Sequence, residues 1–170
     1  MSGVTAVLED LHEAEVDLHL ELRRVSERNR ADGEVAGSLR ALASWSESHA
    51  ESLAEEGRRF GLALGSMPPL TSRVPPGGSR RSSALLGSRS GRAAVLVDDL
   101  RQVFGDVALV QLGWDLLGEV ARHQHDRRLL ALAERSSVET QRQLTWVENR
   151  LKEALVHAIT ADDAAGGGAR

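Results

Sequence analysis

Apolar residues recur at steps of three and four over most of this chain, the spacing that lines them along one face of an α-helix. The first stripe is Leu8, Leu11, Leu18, Leu22 and Val25, which predicts a helix over 5–31. Asp32 then offers an N-cap and Gly33 breaks the run. A second stripe follows at Val35, Leu39, Leu42, Leu53 and Phe60, predicting a helix over 34–62. A connection this short forces antiparallel neighbours, so facing layers carry residue numbers that sum to about 64. That register sets Leu11 against Leu53, Leu22 against Leu42 and Val25 against Leu39. Apolar meets apolar at each level, an agreement that neither stripe imposes alone.

The pattern is interrupted once at length. From Gly61 to Arg92 the chain holds all four prolines, many glycines and serines and no acidic residue, and residues 63–92 are expected to form a disordered, basic linker. A helix of ~28 residues is ~42 Å long and 30 extended residues reach ~100 Å, so such a linker can return along a whole bundle and leave helices two and three parallel. Helical character resumes over 93–134, with Gly105–Asp106 a plausible break that would split or kink the third helix. Ser136 or Ser137 offers the cap of a last helix over 137–159, with a stripe of Leu144, Val147, Leu151, Leu155 and Ala158. Residues 161–170, rich in glycine and alanine, read as a disordered tail. The expected architecture is an all-α four-helix bundle in one domain, 1–160, built from two antiparallel hairpins joined by a long crossover.

Composition narrows the chemistry. Hydrophobic residues make up 41% and charged residues 27%, a balance typical of folded domains and unlike a disordered chain. No apolar run exceeds the five residues Ala93–Val97, far short of the ~20 needed for a membrane helix. With no apolar secretory leader at the start and no cysteine, a cytoplasmic location is the expectation. The absence of cysteine also removes disulfides, thiolate metal sites and cysteine nucleophiles, and the absence of tyrosine removes tyrosine acid–base chemistry. A formal charge of −4 gives no general attraction to nucleic acid, leaving at most a weak anionic contact through Arg73, Arg80, Arg81, Arg89 and Arg92 of the linker. The tryptophans Trp45, Trp114 and Trp146 fall on or beside the apolar seams, as core or interface anchors.

Two polar residues break the stripes of the first hairpin. Glu15 sits between Leu11 and Leu18, His49 between Leu42 and Leu53, and the sum of 64 puts both in one layer. One reading is a buried Glu–His pair that fixes register. The other makes them ligands of an iron, manganese or zinc centre, with His12 and His19 on neighbouring turns and further ligands required from helices three and four. Glu119, His123 and Asp126 lie along one side of helix three, bounded by Leu112, Leu116 and Leu130, and could supply them. The dense charge of ARHQHDRR, which includes His125, also suits a solvated band, and Glu148 is equally placed to pair with Lys152 four residues on.

The segments LASWSESHAESLAEEGRRFGL and LLALAERSSVETQRQLTWVENRLKEA resemble the ferritin-like superfamily, in particular uncharacterised actinobacterial members of that fold, over about 130 residues. The resemblance implies a hairpin–crossover–hairpin bundle, and in the di-iron members a Glu-x-x-His pair on helices two and four. Here Ser46 stands three before His49 and Ala154 three before His157, while the one such pair, Glu9 and His12, lies on helix one. The expectation is therefore a structural or interaction module with no cofactor, acting as a homo-oligomer or with a protein partner. The alternative is an iron- or manganese-dependent oxidoreductase or iron handler using Glu15, His49, Glu119 and His123.

Overall fold

The computed structural model describes residues 3–69 and 91–166, which form four α-helices and no strand. They are α1 (Gly3–Arg28), α2 (Gly33–Arg59), α3 (Arg92–His123) and α4 (Arg127–Gly166). None is long and apolar enough to cross a membrane.

Each turn has a local cause. Between α1 and α2, the Asp32 carboxylate accepts the Val35 amide at 3.1 Å, the N-cap anticipated from sequence. At the end of α2, Gly61 adopts φ +77 while the Leu62 amide donates back to the Gly57 carbonyl at 2.9 Å, a left-handed stop that an L-residue would strain. The turn between α3 and α4 uses the same geometry without a glycine. His125 takes φ 57, the Asp126 amide donates to the Ala121 carbonyl at 3.0 Å, and the Asp126 carboxylate caps α4 through the Leu129 amide at 3.0 Å.

This turn corrects the boundary expected at 134–137. The third helix ends eleven residues earlier than the sequence suggested, at His123 rather than 134, because Asp126 and not Ser136 or Ser137 is the cap. Ser136 and Ser137 lie inside α4: Ser136 is buried, and Ser137 exchanges hydrogen bonds with Gln111 and Asp115 of α3. The break at Gly105–Asp106 is absent as well. Leu100, Val103, Val107 and Val110 form an unbroken buried stripe across it, and Asp106 accepts from Gln102 one turn back instead of capping. Residues 161–166, expected in a disordered tail, continue α4. Of the expected linker 63–92, residues 63–69 have no regular structure, Arg92 opens α3, and 70–90 lie outside the described residues.

Side-chain pairs fix the helix directions. Glu15 meets Trp114 and Arg28 meets Asp99, so α1 and α3 are antiparallel. His49 meets Glu139, Ser46 meets Gln143 and Asp32 meets Arg150, so α2 and α4 are antiparallel too. With α1 and α2 forming a hairpin, α2 and α3 run parallel, as the crossover argument required. The α1–α2 register follows the expected sum closely, with Ser26 donating to the Ala36 carbonyl, His19 at the Ala43 carbonyl, and Glu15 at His49.

The core is built from leucine and valine of all four helices around Trp114, the largest fully buried side chain. Trp45 and Trp146 are partly buried and pack against it. At Gly113 the missing side chain lets Leu11 of α1 close on the α3 backbone; a Cβ there would sit 2.6 Å from Leu11 Cδ1.

Candidate functional site

The polar interruption of the α1 and α2 stripes becomes a hydrogen-bonded tier in the middle of the bundle. Glu15 is 0% exposed and His49 3%. Their contact is 2.8 Å, between Glu15 Oε1 and His49 Nδ1. The same Oε1 accepts the Trp114 indole N–H at 2.7 Å. On its other side His49 Nε2 lies 2.8 Å from Glu139 Oε2 of α4, a half-exposed carboxylate at the bundle surface. The His49 and Trp114 rings meet edge to face, with centroids 5.4 Å apart and planes at 73°. All four helices thus contribute to one chain of contacts, running from the interior at Trp114 to solvent at Glu139.

This arrangement sets the protonation of the imidazole. A carboxylate oxygen only accepts, so two carboxylates on the two ring nitrogens require both nitrogens to donate, which is the imidazolium form. Burial by itself lowers the pKa of His49, but the hydrogen bond and charge of Glu15, joined by those of Glu139, outweigh it and hold the ring above its ordinary value. Solvation lost on burial is replaced by two fixed anionic partners.

One turn along, Gln143 Nε2 donates to the Leu42 carbonyl at 2.9 Å and to Ser46 Oγ at 3.1 Å. Ser136, Thr140 and Gln143 sit at steps of four and three on the inner face of α4, all at 1% exposure or less. Four buried oxygens on these side chains and Glu15 have no partner among the described residues: Glu15 Oε2, Ser136 Oγ, Thr140 Oγ1 and Gln143 Oε1. Each such group costs about 1–3 kcal/mol, so the tier trades stability for a defined polar interior.

The expected ligand set divides. Glu15 and His49 come together, whereas Glu119 and His123 do not join them. Trp114 points into the core, and Glu119, five residues on, lies roughly 140° around the helix at 100° per residue. It is exposed and ion-paired with Arg122 at 2.7 Å. His123 is exposed on the last turn of α3, and Leu112 and Leu116, expected to mark an inward face, are 54% and 49% exposed. Asp126 caps α4 and pairs with Arg59 at 3.0 Å, and that capping amide lowers its pKa. His19 is held by the Ala43 carbonyl at 2.9 Å. His12 lines a cleft with Ala50, Ala54 and Leu64, its pKa lowered by burial. Glu148 pairs with Lys152 at 2.6 Å.

No family model, curated protein or solved structure matches the chain significantly. The donor set must therefore be judged by itself. Among the described residues no group of three or more His, Asp or Glu side chains is arranged to hold a metal ion. His49 has no lone pair left for a metal while it donates to both carboxylates, and Glu15 Oε1 already takes an indole N–H and a ring nitrogen. The iron or manganese centre implied by the resemblance does not fit these residues. Two surface clefts hold about 160 and 200 Å³, smaller than the ~300–1,000 Å³ common for small-molecule sites.

Sequence reasoning missed Glu139, Ser136, Thr140, Gln143 and the indole of Trp114 as members of the tier. The signal was present: read as one helix from Arg127, the apolar stripe Leu129, Leu132, Ala133 and Val147 is interrupted by Ser136, Thr140 and Gln143, as Glu15 and His49 interrupt theirs. A boundary placed at Ser136 hid it.

Proposed function

We propose that this chain is a ferritin-like helical bundle that serves as a structural or interaction module, without a di-iron centre. The topology supports the first part: two antiparallel hairpins whose inner order leaves α2 and α3 parallel. The functional part is carried by one observation. The single imidazole in the polar tier is taken at both nitrogens by carboxylates of its own chain, so the ring best suited to metal chemistry is committed to linking α1, α2 and α4, with Glu15 joining α3 through Trp114. Such a network specifies register and rigidity in a bundle.

Metal analysis tests this reading. Protein expressed in medium rich in iron and manganese, then purified without chelator, is expected to carry far less than one metal per chain. Stoichiometric iron or manganese that disappears in His49→Ala, with helix content retained by circular dichroism, would overturn it.

A further inference from the structure

The outer side of α3 carries an apolar stripe with no partner among the described residues. Leu109, Leu112 and Leu116 are 66%, 54% and 49% exposed, and at 100° per residue they lie within about 60° of one another, diametrically opposite Trp114. Gly105 continues the stripe, and no atom of the described residues lies within 4 Å of where its side chain would be. Exposed polar residues flank it: Asp98 and Arg101 toward the N-terminal end of α3, Glu119 and His123 toward the other.

We infer that this face pairs with the same face of a second copy of the chain, antiparallel, about a two-fold axis between Val110 and Gln111. In that register Leu109 meets Leu112 of the other copy, and Leu116 seats over the open surface at Gly105. A two-fold of this kind brings the same flank of both helices together. Arg101 and Glu119 are about five full turns apart and so share one flank, which sets Arg101 of each copy opposite Glu119 of the other. Asp98 faces His123 in the same way. A parallel pairing would instead put like charges at the same level, Arg101 with Arg101 and Glu119 with Glu119, on opposite flanks, so that no opposite charges meet. The charge pattern therefore favours a second copy in one orientation, and agrees with the register of the leucines to within one residue.

From Asp98 to His123 the helix is about 38 Å long, and a strip roughly 10 Å wide along it is about half the ~800 Å² per partner of a standard interface. The association is accordingly weak and reversible. This inference rests on reading the chain as an interaction module, but the two fail separately: metal analysis decides that reading, and solution mass decides the pairing.

Sedimentation equilibrium of the full chain, up to about 1 mM, the weak end of the affinity range, is expected to show a mass rising from 18.4 kDa toward twice that value. Leu112→Asp is expected to stay at the mass of one chain while keeping its helix content. Arg101 also takes part in an interaction within its own chain, so the decisive arm is a rescue. Arg101→Glu and Glu119→Arg should each weaken self-association about tenfold, the equivalent of ~1.4 kcal/mol, and an equimolar mixture of the two should restore it, because each then meets its opposite. A wild-type chain that remains single throughout the range, an oligomer indifferent to Leu112→Asp, or charge variants that do not rescue each other would overturn the proposal.

Discussion

The centre of the bundle and the outer side of α3 invert each other. At the centre, where helix stripes are normally apolar, stand Glu15, His49, Ser136, Thr140 and Gln143; on the outside, where polar residues are normal, stand Leu109, Leu112 and Leu116. The inner exception is tied into the fold, since Trp114 and Glu139 link Glu15 and His49 across four helices. The outer exception is open. The difference teaches that departures from simple patterning act in two ways here: a buried departure disciplines the fold, and an exposed one is left over for something beyond the fold.

The largest effect that would break this comparison is at Glu15. Glu15→Ala leaves an imidazole and an indole N–H buried without their acceptor, and should cost about 3–5 kcal/mol in urea unfolding. Replacing both Glu15 and His49 by leucine should recover most of that, because a matched apolar pair removes the uncompensated charge. Near-additive losses in the double variant would show that the tier is not a coupled unit.

The same helix provides the next contrast. Leu117→Ala on the inner side of α3 should cost about 2–5 kcal/mol. Leu112→Gln on the outer side, measured at dilutions where the chain is single, should stay within about 0.5 kcal/mol of wild type.

Titration sharpens the inner half of the comparison. The folded state holds the His49 proton more tightly than the unfolded chain, so this group stabilises fully below its unfolded value of about 6.5 and the gain is lost as pH rises through its raised folded value. Asp106 acts in the same direction. Burial, only partly opposed by the Gln102 hydrogen bond, pushes its carboxyl up to about 6, so ionising it in the fold carries a penalty that grows as pH climbs from 3.8 through 6. Urea midpoints should therefore fall from mildly acidic to alkaline pH. Glu139→Gln should shrink the His49 part, while Asp106→Asn should raise the midpoint at pH 7 and leave it unchanged near pH 3.

A smaller loss than at Glu15 or Leu117 is expected at the turn that joins the second hairpin. Asp126→Ala removes the cap of α4 and the pair with Arg59, and should lower stability by about 1 kcal/mol, read as a shift in the thermal midpoint. A loss of several kcal/mol would mean that this turn, rather than the polar tier, sets the hairpin.

The first hairpin was legible because its punctuation and its stripes agree: Asp32 and Gly33 mark the turn, and two independent apolar series match across it. Glu15 and His49 were legible as a pair for the same reason, each being an exception in a regular series. The second hairpin was not. Its turn is made by Gln124, His125 and Asp126, where a histidine with φ 57 does the work usually signalled by glycine, amid charges that suit a helix surface equally well. Glycine at Gly105 and serines at Ser136 and Ser137 supplied stronger signals in the wrong places. The inward side of α3 was hard to read because leucine and valine surround much of the helix, so Leu112 and Leu116 compete with Leu117 and Val110 for the core, and only packing decides.

The edge-on approach of Trp114 to His49 gives the molecule an internal optical gauge. An imidazolium beside an indole quenches its emission, so when the ring gives up its proton on the alkaline side, Trp114 should brighten before any helix is lost. Ultraviolet emission then reports charge in the interior of the folded chain without an added label.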